Sequence, residues 1–268
     1  MNTRTPKDID LIEELCALAK DAGAKALEIY ATDFKTELKE DASPVTQADQ
    51  LGEEIILAGL AKLAPDIPVL AEESASEGKI PELGNQFFLV DPLDGTREFI
   101  NRTGEFTVNI ALIRDGQPVM GVVYAPAINR LYAGVAGHGA WAQCVEEDGA
   151  TGPREPITAR PHPQDGLTAL ASRSHRSPET DEFLKELNVA DFAAAGSSLK
   201  FCLIAESKAD IYPRLGRTME WDTGAGQAVL EAAGGAVVVH PGGERLLYGK
   251  KDRGFDNPHF IAWGIRDQ

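Results

Sequence analysis

The organisation of this chain follows from one stretch, Leu89-Val90-Asp91-Pro92-Leu93-Asp94-Gly95-Thr96. The apolar run before Asp91 predicts a buried strand that ends there, since Pro92 has no backbone N–H for further pairing. Asp94-Gly95 favours a sharp turn, and Thr96 then opens a short helix. Two carboxylates are therefore fixed between a strand and a helix N-terminus. Such a place suits a divalent cation and an anion, although ordinary turns and helix caps use the same residues.

The composition limits the classes of function open to these 268 residues. A formal charge of −16 argues against a nucleic-acid partner and would repel an anionic substrate unless cations or a local basic patch intervened. Three widely separated cysteines favour reduced thiols over a disulfide framework or a zinc site. Neither a signal core nor a run of about 20 apolar residues is present. We therefore expect a cytoplasmic protein, either free or peripheral to the inner membrane.

The first half of the chain, residues 1–160, combines helices with a run of strands and predicts an α+β domain. Apolar spacing predicts a helix over 8–31 and a second helix that ends near Leu63. Residues 106–144 alternate apolar runs with turns, which predicts an antiparallel meander. Within it, Gly137-His138-Gly139-Ala140-Trp141-Ala142 matches a dinucleotide-binding fingerprint, but we reject that interpretation because a strand rather than a helix follows.

A stretch rich in Gly, Pro and acidic residues, 146–166, predicts a boundary before the second half, residues 161–268. The second half alternates strands with helices, which predicts an α/β domain. Its predicted strands cover 167–171, 192–194, 209–212 and 236–239. Its predicted helices cover 178–187, 198–206 and 221–233.

Three further carboxylates lie at the boundaries of predicted elements. Glu72 follows a short strand at 68–71, and it would meet the carboxylates of the central stretch if the two strands were neighbours. Asp222 opens a predicted helix, and Asp49 lies in the first turn of a helix capped by Thr46. Each also has a purely structural explanation. Glu72 would be an exposed acidic turn, Asp222 a helix cap, and Asp49 an acid favoured by the helix dipole.

A second group of candidates in the second half combines hydrogen-bond donors with positive charge: His175, Ser197, Lys200 and Arg214. Such groups suit a phosphate. The alternative is a set of helix caps and solvated surface cations.

Three motifs occur in order: Glu72-Glu73, Asp91-Pro92-Leu93-Asp94-Gly95-Thr96 and Trp221-Asp222-Thr223-Gly224-Ala225-Gly226. Together they resemble the magnesium-dependent, lithium-sensitive phosphatase superfamily that includes inositol monophosphatase and fructose-1,6-bisphosphatase. The resemblance covers nearly the whole chain. Within that superfamily, three segments are similar to the bacterial CysQ type of 3′(2′),5′-bisphosphate nucleotidase: 94–100, 104–113 and 196–202.

The resemblance implies a layered αβαβα sandwich of the inositol monophosphatase-like type, with a large antiparallel sheet and the metal site in the first half. It implies removal of the 3′-phosphate of adenosine 3′,5′-bisphosphate to give AMP. The 3′-phosphorylated form of adenylyl sulfate would be a second substrate. The partner would thus be a small phosphorylated nucleotide. The chain itself would be a monomer or a homodimer.

The resemblance also implies a set of site residues. Two or three Mg²⁺ ions would be held by Glu72, Asp91, Asp94, Asp222 and the Leu93 carbonyl. Thr96, backed by Asp49, would hydrogen-bond the attacking water, with Glu72 as a further catalytic residue. The N–H groups of Gly95 and Thr96 would hold the phosphate. The nucleotide and its other phosphate would contact His175, Ser197, Lys200, Arg214 and Asp222.

Three other functions stay open at this stage. The nearest is a phosphatase of the same superfamily that acts on inositol or sugar phosphates, and Lys200 and Arg214 count against it because they suit a second phosphate. The others are a regulatory or RNA-associated relative with vestigial catalysis and a non-enzymatic metal-binding module. The complete carboxylate set and the charge of −16 count against the regulatory or RNA-associated relative.

Overall fold

The computed structural model describes residues 6–38, 44–146, 148–171 and 178–265. Helices and strands follow one another along these residues. The α-helices are α1 (Pro6–Tyr30), α2 (Gln47–Leu63), α3 (Glu72–Ser76), α4 (Thr96–Ile100), α5 (Pro178–Lys185), α6 (Leu199–Ala205) and α7 (Gly224–Ala232). The strands are β1 (Thr36–Leu38), β2 (Pro44–Thr46), β3 (Val69–Ala71), β4 (Gln86–Asp94), β5 (Thr107–Arg114), β6 (Gln117–Ala125), β7 (Arg130–Val135), β8 (Gly139–Cys144), β9 (Glu155–Ile157), β10 (Leu167–Ala171), β11 (Val189–Ala194), β12 (Ile211–Arg214), β13 (Ala236–Val239) and β14 (Phe260–Trp263). Short 3-10 helices lie at Pro126–Ile128 and Lys251–Arg253.

The first large sheet has the strand order β3-β4-β5-β6-β7-β8-β9. The strands from β4 to β9 pair antiparallel in chain order, which confirms the predicted meander, and β3 pairs parallel to β4. The prediction that the central strand ends at Asp91 is wrong, because β4 continues to Asp94. The register with β5 shifts between Asp91 and Asp94. Pro92 therefore lies where pairing is interrupted, and its missing N–H leaves no gap in the ladder.

The second sheet has the strand order β11-β10-β12-β14-β13. β10 runs parallel to both β11 and β12, as expected of strands joined by crossover helices. β14, which the sequence pattern did not predict, lies antiparallel to β12 and β13 and makes the sheet mixed.

Buried side chains on the faces of the two sheets define five layers. α1 and α2 cover one face of the first sheet, where Ile12 and Phe88 belong to the same apolar cluster. α6 and α7 lie between the sheets, in a cluster that extends from Leu89 to Val237. α5 covers the outer face of the second sheet through Leu184. These layers confirm the αβαβα sandwich.

α7 lies directly against β6 and β7 because two glycines leave room for its backbone. A Cβ atom at Gly121 would come within 2.6 Å of the Ala225 carbonyl oxygen, and one at Gly134 within 2.7 Å of the Val229 Cα. The close contact holds α7 against the first sheet. It thereby brings Asp222, just before α7, towards the ends of the first sheet's strands.

The division into residues 1–160 and 161–268 stays a prediction. The first large sheet ends with β9 and the second begins with β10. However, side chains from both halves share the apolar cluster between the sheets, including Ala111 from the first half and Phe201 from the second.

The remaining observations concern the thiols and the helices. Cys16 and Cys202 are buried, Cys144 is exposed, and none of the three is in a disulfide in the described part of the chain. No helix among the described residues is long and apolar enough to span a membrane.

Candidate active site

The parallel pairing of β3 with β4 brings the first carboxylates together. Ala71 and Val90 are paired, so the residues that follow them, Glu72 and Asp91, lie side by side where β3 ends. Asp91 is only 1% exposed, and its carboxyl group is hydrogen-bonded to Glu72. Glu72 is not an exposed turn residue, because it is half-buried and begins α3.

The turn after β4 places Thr96 beside Asp49. Gly95 has a φ of 93°, which only glycine adopts without strain, and α4 begins at the next residue. The Thr96 hydroxyl lies 3.2 Å from Asp49 Oδ1 and 3.5 Å from the Leu93 carbonyl oxygen. Thr96 therefore connects the turn to the helix that carries Asp49.

Asp49 contacts both Thr46 and Thr96. Its Oδ2 accepts hydrogen bonds from the Thr46 N–H at 2.8 Å and the Thr46 hydroxyl at 2.7 Å, which completes a capping box on α2. Its Oδ1 is left to accept from Thr96. The capping bonds therefore fix the carboxylate that holds the Thr96 hydroxyl.

Asp222 approaches from the second half of the molecule. The prediction that the helix opens with Trp221 and Asp222 is wrong, because α7 begins at Gly224. The Asp222 Oδ2 accepts from the Met219 N–H at 2.8 Å, and the Asp222 carbonyl accepts from the Ser198 hydroxyl at 2.7 Å. These bonds fix Asp222 to the loops before α6 and α7.

The carboxylates influence one another electrostatically. Burial raises the pKa of Asp91 well above its usual range, and the charges of Glu72, Asp94 and Asp222 raise it further. Burial and the neighbouring Asp94 and Glu72 raise the pKa of Asp222 to about 8. Burial raises the pKa of Asp94 to about 6, against the opposing effect of the Lys200 cation. Like charges in a buried site hold protons that a cation can replace.

The donor set around these carboxylates suits Mg²⁺. It consists of carboxylate oxygens with the Leu93 carbonyl beside them, and Mg²⁺ prefers such hard oxygen donors. Among the described residues, no three His, Cys, Asp or Glu side chains are placed to hold a metal ion in their present positions. Asp91 and Glu72 instead contact each other through a hydrogen bond. A bound cation would take the place of this contact.

Cationic side chains line the same site as the carboxylates. Lys200 is 5% exposed, and its Nζ donates to the Ser197 carbonyl at 2.6 Å and lies 5.1 Å from the centre of the Tyr212 ring. Burial lowers the pKa of Lys200 to about 8, although Asp94 opposes this effect. Arg214 donates through Nη2 to the Arg217 carbonyl at 2.7 Å, while its buried Nε has no hydrogen-bond partner among the described residues.

Both sets of side chains line one cleft of about 290 Å³. We name two groups of its charged side chains: the acidic wall consists of Glu72, Asp91, Asp94 and Asp222, and the basic wall consists of Lys200, Arg214 and Arg217. Leu93, Gly95, Thr96 and Ser197 also line the cleft. Asp49 reaches it through Thr96, and the predicted substrate residue His175 lies outside the described residues. The structure thus brings the described candidates together, and their roles stay predictions.

Ser197 has a structural contact that the sequence did not suggest. Its hydroxyl donates to the Glu105 carbonyl at 2.6 Å, and the neighbouring Gly196 N–H donates to the Glu105 carboxylate at 3.0 Å. Ser197 therefore joins the loop before α6 to the first half of the chain.

Arg217 is one of the residues of the site that the sequence interpretation missed. Arg217 lines the cleft with a side chain that is 71% exposed, three residues after Arg214. Its only sequence signal is this short spacing in a loop that follows a strand.

Another missed residue, Glu53, is buried on α2 one turn after Asp49. Its carboxylate accepts from the Glu73 N–H at 2.7 Å, the Ser74 N–H at 2.8 Å and the Ser74 hydroxyl at 2.5 Å. These bonds cap the start of α3 and so fix the backbone next to Glu72. No local motif reveals this role, because the partners are about 20 residues away.

The sequence and the fold are similar to those of known proteins. Residues 8–262 match the inositol monophosphatase family. The 3′(2′),5′-bisphosphate nucleotidase CysQ of Salmonella typhimurium is 44% identical over 252 residues, which cover 93% of this chain and 98% of that protein. The crystal structure of CysQ from Bacteroides thetaiotaomicron, described as a bacterial member of that family, has 40% identity and a TM-score of 0.78, over 95% of this chain and 98% of that one.

A more distant structure shares the fold. The IMPase of Thermotoga maritima has a TM-score of 0.76 at 23% identity, over 95% of this chain and 92% of that one. The extent of the family match and the identity to the CysQ proteins lead to one conclusion. This chain belongs to the inositol monophosphatase family.

Proposed function

We propose that the protein is a Mg²⁺-dependent phosphatase that removes the 3′-phosphate of adenosine 3′,5′-bisphosphate and releases AMP. The observation that carries the proposal is that the acidic wall and the basic wall line a single cleft. A substrate with two phosphates can engage both walls at once. The relatives at 44% identity are named for activity on such bisphosphates. The 3′-phosphorylated form of adenylyl sulfate is proposed as a second substrate.

The acidic wall and the Leu93 carbonyl would hold two or three Mg²⁺ ions. When bound, these ions neutralise charge on the transferring phosphoryl group and make a nearby water more acidic. The protein then has to position the reactants rather than supply a nucleophile. Gly95 and Thr96 line the cleft at the start of α4, where the backbone N–H groups of a helix N-terminus can hold the phosphate.

Thr96 would orient the attacking water. Its hydroxyl hydrogen is directed to Asp49 Oδ1, so the hydroxyl oxygen keeps lone pairs that can accept a hydrogen bond from the water. This contact would restrict the orientation of the water. Glu72 lies half-buried at the end of β3, where a carboxylate can accept the proton that the water releases.

The basic wall would bind the nucleotide through its other phosphate. Lys200 brings a buried charge to the cleft, and the Nε of Arg214 is a buried donor that still lacks a partner among the described residues. Asp222 and Ser197 line the same space and would contact the substrate. His175 is proposed to join them on the strength of the family resemblance. Charge-assisted bonds from these cations would make the second phosphate a determinant of affinity.

The experiment is a substrate panel with purified protein, measured as phosphate release with Mg²⁺ and with EDTA. Adenosine 3′,5′-bisphosphate should be hydrolysed fastest, only with Mg²⁺, and the product should be AMP rather than adenosine 3′-phosphate. Millimolar Li⁺ should inhibit this release. Preference for inositol 1-phosphate would support the inositol or sugar-phosphate alternative. Release of phosphate from no member of the panel would support a regulatory relative or a metal-binding module.

A further inference from the structure

Two polar side chains interrupt the apolar face of β5. Thr107 and Asn109 are 0% and 1% exposed, and they share a face of the strand with the apolar Ala111 and Ile113. Among the described residues, neither amide atom of Asn109 has a hydrogen-bond partner, and neither does the Thr107 hydroxyl. Three buried polar atoms are therefore unsatisfied within one short segment.

The position of these atoms relates them to the acidic wall. In the antiparallel pairing of β4 with β5, Asn109 is directly opposite Asp91 and Thr107 is directly opposite Asp94. Side chains at opposed positions lie on the same face of a sheet and within reach of one another. On its other side Asn109 is paired with the apolar Val123. The polar groups directly across from these two residues are therefore carboxylates of the acidic wall.

The face that carries Asn109 is also turned towards the start of α7. Ala111, its neighbour on that face, lies close to the first residue of α7. A Cβ atom added at Gly224 would lie 3.3 Å from the Ala111 Cβ. Asp222 lies two residues before Gly224 in the chain. The face of β5 that carries Asn109 is therefore also the face on which the start of α7 packs.

A packing role alone does not account for these residues. A buried polar group without a partner destabilises a fold, whereas an apolar side chain of the same shape does not. Trp141 provides a contrast, since its buried Nε1 also lacks a partner but its paired residue is the apolar Ala133. In β5, by contrast, the unsatisfied atoms lie opposite carboxylates of the acidic wall. A neutral donor there can bind a carboxylate without adding negative charge.

We propose that Asn109 and Thr107 are positioning residues for the metal ligands, Asn109 donating to the Asp91 carboxylate and Thr107 to the Asp94 carboxylate when Mg²⁺ is bound. The inference rests on the proposed function, because it assumes that the acidic wall binds Mg²⁺. Hydrogen bonds to ligating carboxylates restrict the directions in which their oxygens point. The two side chains would therefore raise the affinity of the cleft for the cation without touching it.

The test compares variants that remove the donor but keep the shape: Asn109→Leu and Thr107→Val. Mg²⁺ affinity is measured by calorimetric titration, and the thermal unfolding temperature is measured in EDTA. We expect Mg²⁺ affinity to fall about tenfold or more, as for other partners of metal ligands. The unfolding temperature in EDTA should stay unchanged or rise, because an unsatisfied buried group has been removed.

Two controls separate positioning from packing. Thr107→Ser keeps the hydroxyl and loses a methyl group, so Mg²⁺ affinity should stay near that of the wild type. Trp141→Phe removes an unsatisfied buried atom far along the sheet from the acidic wall, and it should leave Mg²⁺ affinity unchanged.

The outcomes distinguish this inference from the proposed function. Mg²⁺ affinities of Asn109→Leu and Thr107→Val within twofold of the wild type would overturn the inference, and Thr107→Val decides it if Asn109→Leu does not fold. Equal losses for Thr107→Val and Thr107→Ser would also overturn it. A wild type that binds Mg²⁺ but hydrolyses no nucleotide would overturn the proposed function alone. A wild type that binds no Mg²⁺ would overturn both.

Discussion

The acidic wall and the basic wall of the cleft are built in different ways. Asp91 and Asp222 are held by backbone donors, the N–H of Leu93 at 3.0 Å and the N–H of Met219 at 2.8 Å. On the basic wall, Lys200 is buried, but Arg217 is 71% exposed and pairs with Asp256 at 3.4 Å. One wall is fixed by the ends of strands and helices, whereas the other extends from a buried residue to the surface.

This difference suggests a division of labour. A site that must hold cations in place for every substrate needs fixed ligands, which strand ends and helix starts provide. A site that distinguishes one substrate from another can use longer side chains at the edge of the cleft. Substitutions in the acidic wall should therefore lower the activity on all substrates. Substitutions in the basic wall should lower mainly the activity on substrates with a second phosphate.

The largest effect is expected for Asp94→Asn, which removes one charge from the acidic wall while keeping its size. Loss of a metal ligand should cost more than the 10–100-fold that is typical of an outer partner, so we expect kcat/KM to fall by at least about 100-fold. The loss should be similar for adenosine 3′,5′-bisphosphate and for a monophosphate, measured as Mg²⁺-dependent phosphate release. A loss confined to the bisphosphate would contradict the division between the walls.

A selective effect is expected for Lys200→Met, which removes the charge of the basic wall but keeps the aliphatic stem. Hydrogen bonds to charged groups contribute about 1.5–3 kcal/mol, so KM for the bisphosphate should rise roughly 10–100-fold. KM for a simple monophosphate should change little. Lys208→Met, at an exposed lysine on the loop after α6, serves as the control. Equal changes for both substrates would favour the inositol phosphate alternative.

A smaller effect is expected for Glu53→Gln. The amide has one acceptor oxygen where the carboxylate has two, so one of the hydrogen bonds to the start of α3 is lost and Glu72 is held less firmly. We expect Mg²⁺ affinity, measured by titration, to fall about tenfold. The matched control is Glu54→Gln, the same chemical change at the next position, where the side chain is exposed. If the two variants bind Mg²⁺ equally well, Glu53 does not support the acidic wall.

The smallest effect concerns pH and stability. The pKa of Asp222 is raised from 3.8 to about 8 and that of Asp94 to about 6, so the folded protein keeps protons that the unfolded chain releases above about pH 4. In EDTA, the free energy of unfolding should therefore fall as pH rises from about 4 to about 8. Mg²⁺ should remove this dependence, because it takes the place of the protons. Urea unfolding at several pH values measures it.

The control for this prediction is Asp222→Asn, which removes one of the groups with a raised pKa. In EDTA its free energy of unfolding should depend less on pH than that of the wild type. Identical pH dependence in the two proteins would show that the acidic wall is not the source of the effect. Lys200, whose pKa is lowered to about 8, begins to lose its proton only near the upper end of this range, so the comparison is made between about pH 4 and pH 7.

Periodicity and turn residues were sufficient to predict most of the fold. The apolar period in α1 and the alternation in β5 to β8 are local properties, and these elements were confirmed. α3 was missed because five residues are too few to show a helical period. The extension of β4 past Pro92 was missed because a shift in register depends on the partner strand.

The site was predictable to the extent that its residues lie in motifs. The acidic wall was recognised because each of its members follows a strand or precedes a helix. Glu53, Asn109 and Thr107 carry no such signal. Their relation to the acidic wall depends on packing between α2 and α3 and on the register between β4 and β5, which only the folded chain defines.

The most direct test of the central claim is a crystal structure of the protein grown with Mn²⁺ in place of Mg²⁺, located by its anomalous scattering. The claim is that four carboxylates, distant in sequence, converge on shared cations. The predicted result is anomalous density enclosed by carboxylate oxygens of Glu72, Asp91, Asp94 and Asp222. Density elsewhere, or these oxygens turned away from one another around an empty centre, would contradict it.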